Sequence, residues 1–179
     1  MIYEYAVDPI LMTKKDTASI LDNSIGPSRG RLISNFPNDW CDVTADLIAK
    51  YAKNQTEKRN RLTELRRFKE EGTTFDRQIE TEYIKSEFDG GWLKNARNEN
   101  KKKPFRAIYS DLDKSISEEN ILEKYVNRSS ERWNIPDSQE VERKAKEIGA
   151  FIKPLLELSS EIWFIDHYFN PSEIRFRNI

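Results

Sequence analysis

A helix-dominated α/β fold with a small sheet, either complete within this chain or continued in a longer one, is what the sequence predicts. Three observations point there. Apolar residues recur at helical spacing over much of residues 42–155. The charged share is 34%, above the usual share of about 25%, yet both signs nearly cancel to a net charge of -1, as on long solvated helices. A short unbroken apolar run, Ile162-Trp163-Phe164-Ile165, follows the last helix and reads as a strand buried on both faces.

Residues 1–40 read as an irregular N-terminal segment, because Pro9, Gly26, Pro27, Gly30 and Pro37 punctuate them. Within it, Ile2, Tyr3, Tyr5 and Val7 form either an edge strand or a patch packed on a helix. Residues 41–179 read as a helix-rich domain ending in a strand and a turn. Its first helix starts near Asp42 or Thr44, either of which can cap free N–H groups, and Gly72 stops it. The segment from Lys53 to Arg61 has no apolar side chain, so the helix either crosses it as a solvated stretch or breaks there.

Thr73 and Asp76 imitate a capping box for a second helix carrying Phe75, Ile79, Tyr83 and Phe88, closed by Gly90-Gly91. Trp92 and Leu93 then form a short turn over the core, and Asn95–Lys103 is a polar loop. Phe105–Tyr109 is a candidate strand. Ser115 opens a third helix with Ile121, Leu122, Tyr125 and Val126, after which Trp133 and Ile135 plug a gap. The last long helix starts at Asp137 or Ser138 and turns Val141, Ala145, Ile148, Ile152 and Leu155 inward, with a kink or restart at Pro154. A strand at 162–165 needs neighbours. Either the N-terminal segment supplies them or the chain is the leading portion of a longer α/β protein.

Composition narrows the chemistry. A single cysteine, Cys41, excludes an internal disulfide framework and a cysteine-rich zinc site. A single histidine, His167, excludes a two-histidine metal site within one copy. No apolar run approaches the roughly 18 residues of a membrane span, and no leader pattern opens the chain. The expectation is a cytoplasmic protein with no membrane partner and no cofactor.

Two constellations are candidates for function. Asp166 and His167 leave the carboxyl end of the 162–165 strand, where open α/β sheets bind ligands, and offer an acid, a base or a metal ligand. Adjacent strand residues point to opposite faces, and a turn cap at Asp166 with a half-buried surface residue at His167 is the better-favoured reading. The second constellation is basic. Lys58, Arg59, Arg61, Arg66, Arg67 and Lys69 form one group; Lys94, Arg97, Lys101, Lys102, Lys103 and Arg106 form another. Such clusters bind phosphates by releasing counterions, and Trp92 and Phe105 beside the second group can stack on bases. Acids at helical spacing, among them Glu57, Glu70, Glu71 and Glu99, can instead pair with them along a solvated face. Asp111 and Asp113, just after the candidate strand, suit turns and caps better than a metal site.

The segment Glu161-Ile162-Trp163-Phe164-Ile165-Asp166-His167-Tyr168-Phe169-Asn170-Pro171-Ser172, with Arg175-Phe176-Arg177 beyond it, resembles an early strand and turn of bacterial proteins with a phospholipase-D-like domain. The likeness covers about the last 40 residues and implies kinship with phosphodiesterases and nucleases. The catalytic signature of that group is His, one spacer, then Lys. Tyr168 and Phe169 follow His167, so the lysine is absent and the chain is expected to be incomplete or non-catalytic on its own. The resemblance implies a nucleic-acid-associated protein with DNA or RNA as partner. The alternative is a helical scaffold that pairs with another chain or with a second copy of itself.

Overall fold

Tyr3–Val7 forms strand β1, and it lies in the middle of a sheet rather than at an edge. The computed structural model describes residues 2–36, 39–77, 79–80, 91–110, 122–123, 132–135, 140–159 and 161. Along them follow α1 (Lys15–Ser24), β2 (Arg31–Ser34), α2 (Trp40–Tyr51), α3 (Gln55–Glu70), β3 (Thr74–Phe75), α4 (Gly91–Lys102), β4 (Ile108–Tyr109), β5 (Leu122–Glu123) and α5 (Ala145–Leu158). The chain separates into two units, residues 2–135 and residues 136–179, the latter joined by Met1.

The fold class is α/β with helices dominant. All strand pairs are parallel, in the order β3-β2-β1-β4-β5. This is the order of a doubly wound sheet, built outward from β1 in one direction and then restarted at β4 on its other side. Register pairs Tyr3 with Arg31, Ala6 with Ile108 and Ile33 with Thr74. The expectation that residues 1–40 are irregular is corrected, since β1, α1 and β2 lie within them. Pro9 starts a 3-10 turn after β1, and Pro27 starts another ahead of β2. The run Tyr5-Ala6-Val7 is wholly buried, as a parallel strand covered on both faces must be.

Alternation along β1 sends neighbouring side chains to opposite faces. Tyr5 and Val7 join Ile33, Tyr109 and Ala107 in one core, covered by Ala18 and Leu21 of α1, Trp40 and Ile48 of α2, and Leu65 and Phe68 of α3. Ala6 and Ile108 join Trp92, Leu93 and Ala96 of α4, with Phe36 and Phe105, in a second core on the other face. Trp133 closes the first core, as expected. It lies edge-on to Tyr5 at 5.7 Å and to Tyr109 at 5.5 Å, and the Arg31 guanidinium donates to its carbonyl.

The polar stretch after Tyr51 breaks the helix. Asn54 caps α3 by accepting the Glu57 N–H at 2.8 Å, while Glu57 accepts the Lys53 N–H at 2.9 Å. α2 begins at Trp40, ahead of Asp42, because the Asn35 side chain accepts the Trp40 N–H at 2.8 Å. Gly72 ends α3 as expected. Its φ of 63° permits the paired closing bonds Thr73 N–H to Phe68 O at 3.1 Å and Gly72 N–H to Lys69 O at 3.4 Å.

Several local expectations are overturned by tertiary pairing. Thr74–Phe75 is a strand on β2 and not the first turn of a helix. Residues 91–102, expected as a turn and a loop, form α4, whose Trp92, Leu93, Asn95, Ala96 and Glu99 make a buried stripe at helical spacing. Leu122–Glu123 is a strand on β4 rather than helix. The expected β4 strand at 105–109 is present in shorter form, at Ile108–Tyr109. In the second unit, α5 runs through Pro154 as one helix, starting at Ala145. Ile148 and Leu155, expected to point inward, are 43% and 44% exposed, while Val141 and Ile152 of the same stripe are half-buried. The expected strand 162–165 lies outside the described residues, as do Tyr83, Phe88, Tyr125 and Val126.

Candidate functional site

Four polar residues follow the ends of four strands: Asp8 after β1, Asn35 after β2, Asp76 after β3 and Ser110 after β4. Because every strand is parallel, all four lie along the carboxyl edge of the sheet. Order reverses between β1 and β4, and sheets of this kind take ligands at that reversal point. Asp8 and Ser110 flank it. The Asp8 N–H donates to Tyr109 O at 2.9 Å, the Ser110 hydroxyl donates to the Asp8 carboxylate at 3.3 Å, and that carboxylate also accepts the Ile10 N–H at 3.1 Å. One carboxylate is thus held by a strand, a hydroxyl and a helical turn, with its orientation set before any ligand arrives.

The neighbouring positions are fixed in the same way. The Asn35 amide donates to Asp76 at 2.6 Å while its carbonyl oxygen caps α2, and the Trp40 indole N–H donates to Val7 O at 2.7 Å. Trp40 thereby ties the start of α2 to the last residue of β1. Asp8, Asn35, Asp76 and Ser110 are absent from the sequence-based candidates. The available signal was a polar residue closing a short apolar run, as in Tyr5-Ala6-Val7-Asp8 and Leu32-Ile33-Ser34-Asn35. Asp111 and Asp113 continue the chain beyond Ser110 and lie outside the described residues. Among the described residues, no three His, Cys, Asp or Glu side chains are grouped to hold a metal ion.

Asp166 and His167 also lie outside the described residues. The basic candidates are described in full, and the structure divides them. α3 covers the face bearing Tyr5 and Val7, whereas α4 covers the face bearing Ala6 and Ile108. The cations of α3 and those of α4 therefore stand on opposite sides of the sheet, whereas Arg106 lies against Tyr3 on the α3 side. On α3, Arg59 and Arg66 are exposed and Lys58 is half-buried, without an ion pair among the described residues. Arg67 pairs with Asp22 of α1 and, at 3.8 Å, with Glu71, and the hydrogen bond to Asp22 raises its pKa. Arg61 is buried and bonded to Glu64 at 2.8 Å. Around the end of α4, Lys101 is exposed, and Lys102 pairs with buried Glu99 at 2.9 Å. The Lys103 ammonium lies 5.9 Å from the Phe75 ring, and the Arg106 guanidinium lies 4.6 Å from the Tyr3 ring.

Beneath α4 a buried ionic group joins sheet and helix. Arg77 reaches Glu4 of β1 at 3.4 Å, stacks at 3.9 Å on Phe105 and donates to the Lys103 carbonyl. Burial pushes the Glu4 carboxyl above its ordinary range, more than Arg77 and Ser34 pull it down. Burial likewise lowers Arg77, against the pull of Glu4 and Glu99. On the other face, burial pushes the Tyr5 phenol up to about 12, and it also raises the Cys41 thiol.

Comparison with family models, with curated proteins and with solved structures finds no match to this chain. Among the described residues, no helix is long and apolar enough to cross a membrane.

Proposed function

We propose that this protein is a nucleic-acid-associated domain of the phosphodiester-processing kind, with its ligand at the carboxyl edge between β1 and β4. The observation that carries the reading is the doubly wound order with Asp8 and Ser110 at its reversal point. Sheets of this order take ligands there because strand ends leave backbone groups and loops free to meet them. The resemblance of residues 161–177 to phospholipase-D-like proteins supplies the phosphodiester class, and the missing lysine after His167 keeps the reading short of catalysis. Outward cations on α3 (Lys58, Arg59, Arg66) and at the end of α4 (Lys101) supply phosphate contacts on either side of the sheet.

The test is binding of single- and double-stranded DNA and RNA at two salt concentrations. The expected result is an affinity that falls steeply with salt, and a slope that drops by about one per lost phosphate contact. Charge reversal at Arg59 and Arg66 reports on one face, and reversal at Lys101, Lys102 and Lys103 on the other. Absence of binding at low salt would dispose of the reading. A second reading, a helical protein-interaction domain, is favoured by one observation: Ile148, Leu155 and Leu156 of α5 are 43%, 44% and 40% exposed. Sedimentation at rising concentration, with and without Leu155→Glu, tests it through self-association.

A further inference from the structure

The helices α1 and α3 and the turn before α3 border a groove of ≈ 580 Å³. That volume is within the range of small-molecule sites, about 300–1,000 Å³. Every residue lining the groove is polar or charged, which sets it apart from the mostly apolar pockets that take drug-like ligands. Arg61 is among them, with a side chain only 8% exposed. Glu64, one turn further along α3, accepts one of its N–H groups. The rest of the guanidinium fork has no protein acceptor among the described residues. A buried guanidinium that lines a groove, keeps donors in reserve and is steadied by a carboxylate beside it in the same wall can hold an anion.

The rim agrees. Lys15 and Lys53 are exposed at the groove and have no ion-pair partner among the described residues. Of the two carboxylates present, Glu64 is engaged by Arg61 and Glu57 by the Lys53 N–H. Asn60 adds an amide that can both donate and accept.

We propose that this groove binds a small hydroxyl-bearing phosphate monoester, with Arg61 holding the phosphate and Lys15 and Lys53 drawing it in. A guanidinium fork matches two phosphate oxygens at once, and the mixed donors and acceptors of the polar wall suit sugar hydroxyls. The inference stands apart from the nucleic-acid reading, since the groove needs no polymer and does not use Asp8 or Ser110.

The test is calorimetric titration of the full chain with ribose 5-phosphate, inorganic phosphate and ribose as probes. Ribose 5-phosphate is expected to bind about tenfold or more tighter than either of the others. The Lys15→Glu, Lys53→Glu double variant is expected to weaken it by at least the same factor, with an unchanged thermal melt because both sites are exposed. Arg61→Lys, which keeps the charge and loses the fork, should weaken it too, and the rim variant decides the matter if Arg61→Lys fails to fold. Binding unaffected by the rim variant would overturn the site, as would no binding of ribose 5-phosphate at millimolar concentration. Equal affinity for inorganic phosphate would overturn the hydroxyl component.

Discussion

Replacing Arg77 by methionine should reveal the ionic group that fastens α4 to the sheet. Arg77 and Glu4 are 3.4 Å apart, with side chains 0% and 7% exposed, so water cannot take over from either partner. Removing the cation leaves a buried carboxylate uncompensated, which costs about 3–5 kcal/mol at neutral pH. The carboxylate has an escape, because it can take up a proton. Glu4 already titrates above its reference value of 4.5, with burial as the main cause and Arg77 the chief opposing influence. Losing Arg77 therefore raises it further. A group whose folded pKa is raised contributes stability that is complete below its unfolded pKa and is lost as pH rises through the folded value. The penalty in Arg77→Met should accordingly be largest at neutral pH and smaller at mildly acidic pH, as Glu4 is protonated. It should not vanish, because the Phe105 stack and the bond to the Lys103 carbonyl are gone at every pH. Adding Glu4→Gln should restore much of the neutral-pH loss. Urea unfolding of the wild type, the single variant and the double variant at the two pH values measures each term. A loss below about 1 kcal/mol would refute the reasoning, and so would an equal loss at both pH values.

Gly72→Ala should cost about 1–2 kcal/mol in urea unfolding, all of it from backbone strain at φ 63°, because an added Cβ meets nothing within 4 Å; a stabilising or neutral outcome would show that the closing turn of α3 is made differently. The Tyr5 phenol should ionise late, near pH 12 in an alkaline absorbance titration of the folded protein. Its folded value lies above the unfolded one, so the stability it contributes is complete below pH 10.0 and declines as pH rises through about 12. Ionisation of all tyrosines together near pH 10.0 in the folded state would contradict its burial against Trp133.

Elements that carry their own signal were legible in the sequence. α3 could be placed in part, because a glycine stop closes the stripe of Leu62, Leu65 and Phe68, but its Asn54 cap went unrecognised inside the apolar-free stretch. The helix-dominated α/β class was legible for the same reason. Trp133 could be assigned to the core because a large aromatic ring is costly to leave in water. The two-residue strands were not legible. Thr74–Phe75 and Leu122–Glu123 are strands only because β2 and β4 lie alongside to pair with them, and their own side chains suit a helix as well. α4 was hidden for the opposite reason. Its polar and basic composition reads as loop until Trp92, Leu93 and Ala96 are seen packing on Ala6 and Ile108.

What the sequence by itself determined is therefore local: the glycine stop of α3, the burial of Trp133, and the exclusion of an internal disulfide or a two-histidine metal site within one copy of the chain. Only the tertiary structure decided that β1 is central, that the cations of α3 and of α4 stand on opposite faces, and that Asp8 meets Ser110 across 102 residues of chain. The physical reason is that parallel pairing joins segments distant in sequence through backbone groups every residue shares, so side-chain identity alone does not name the partner.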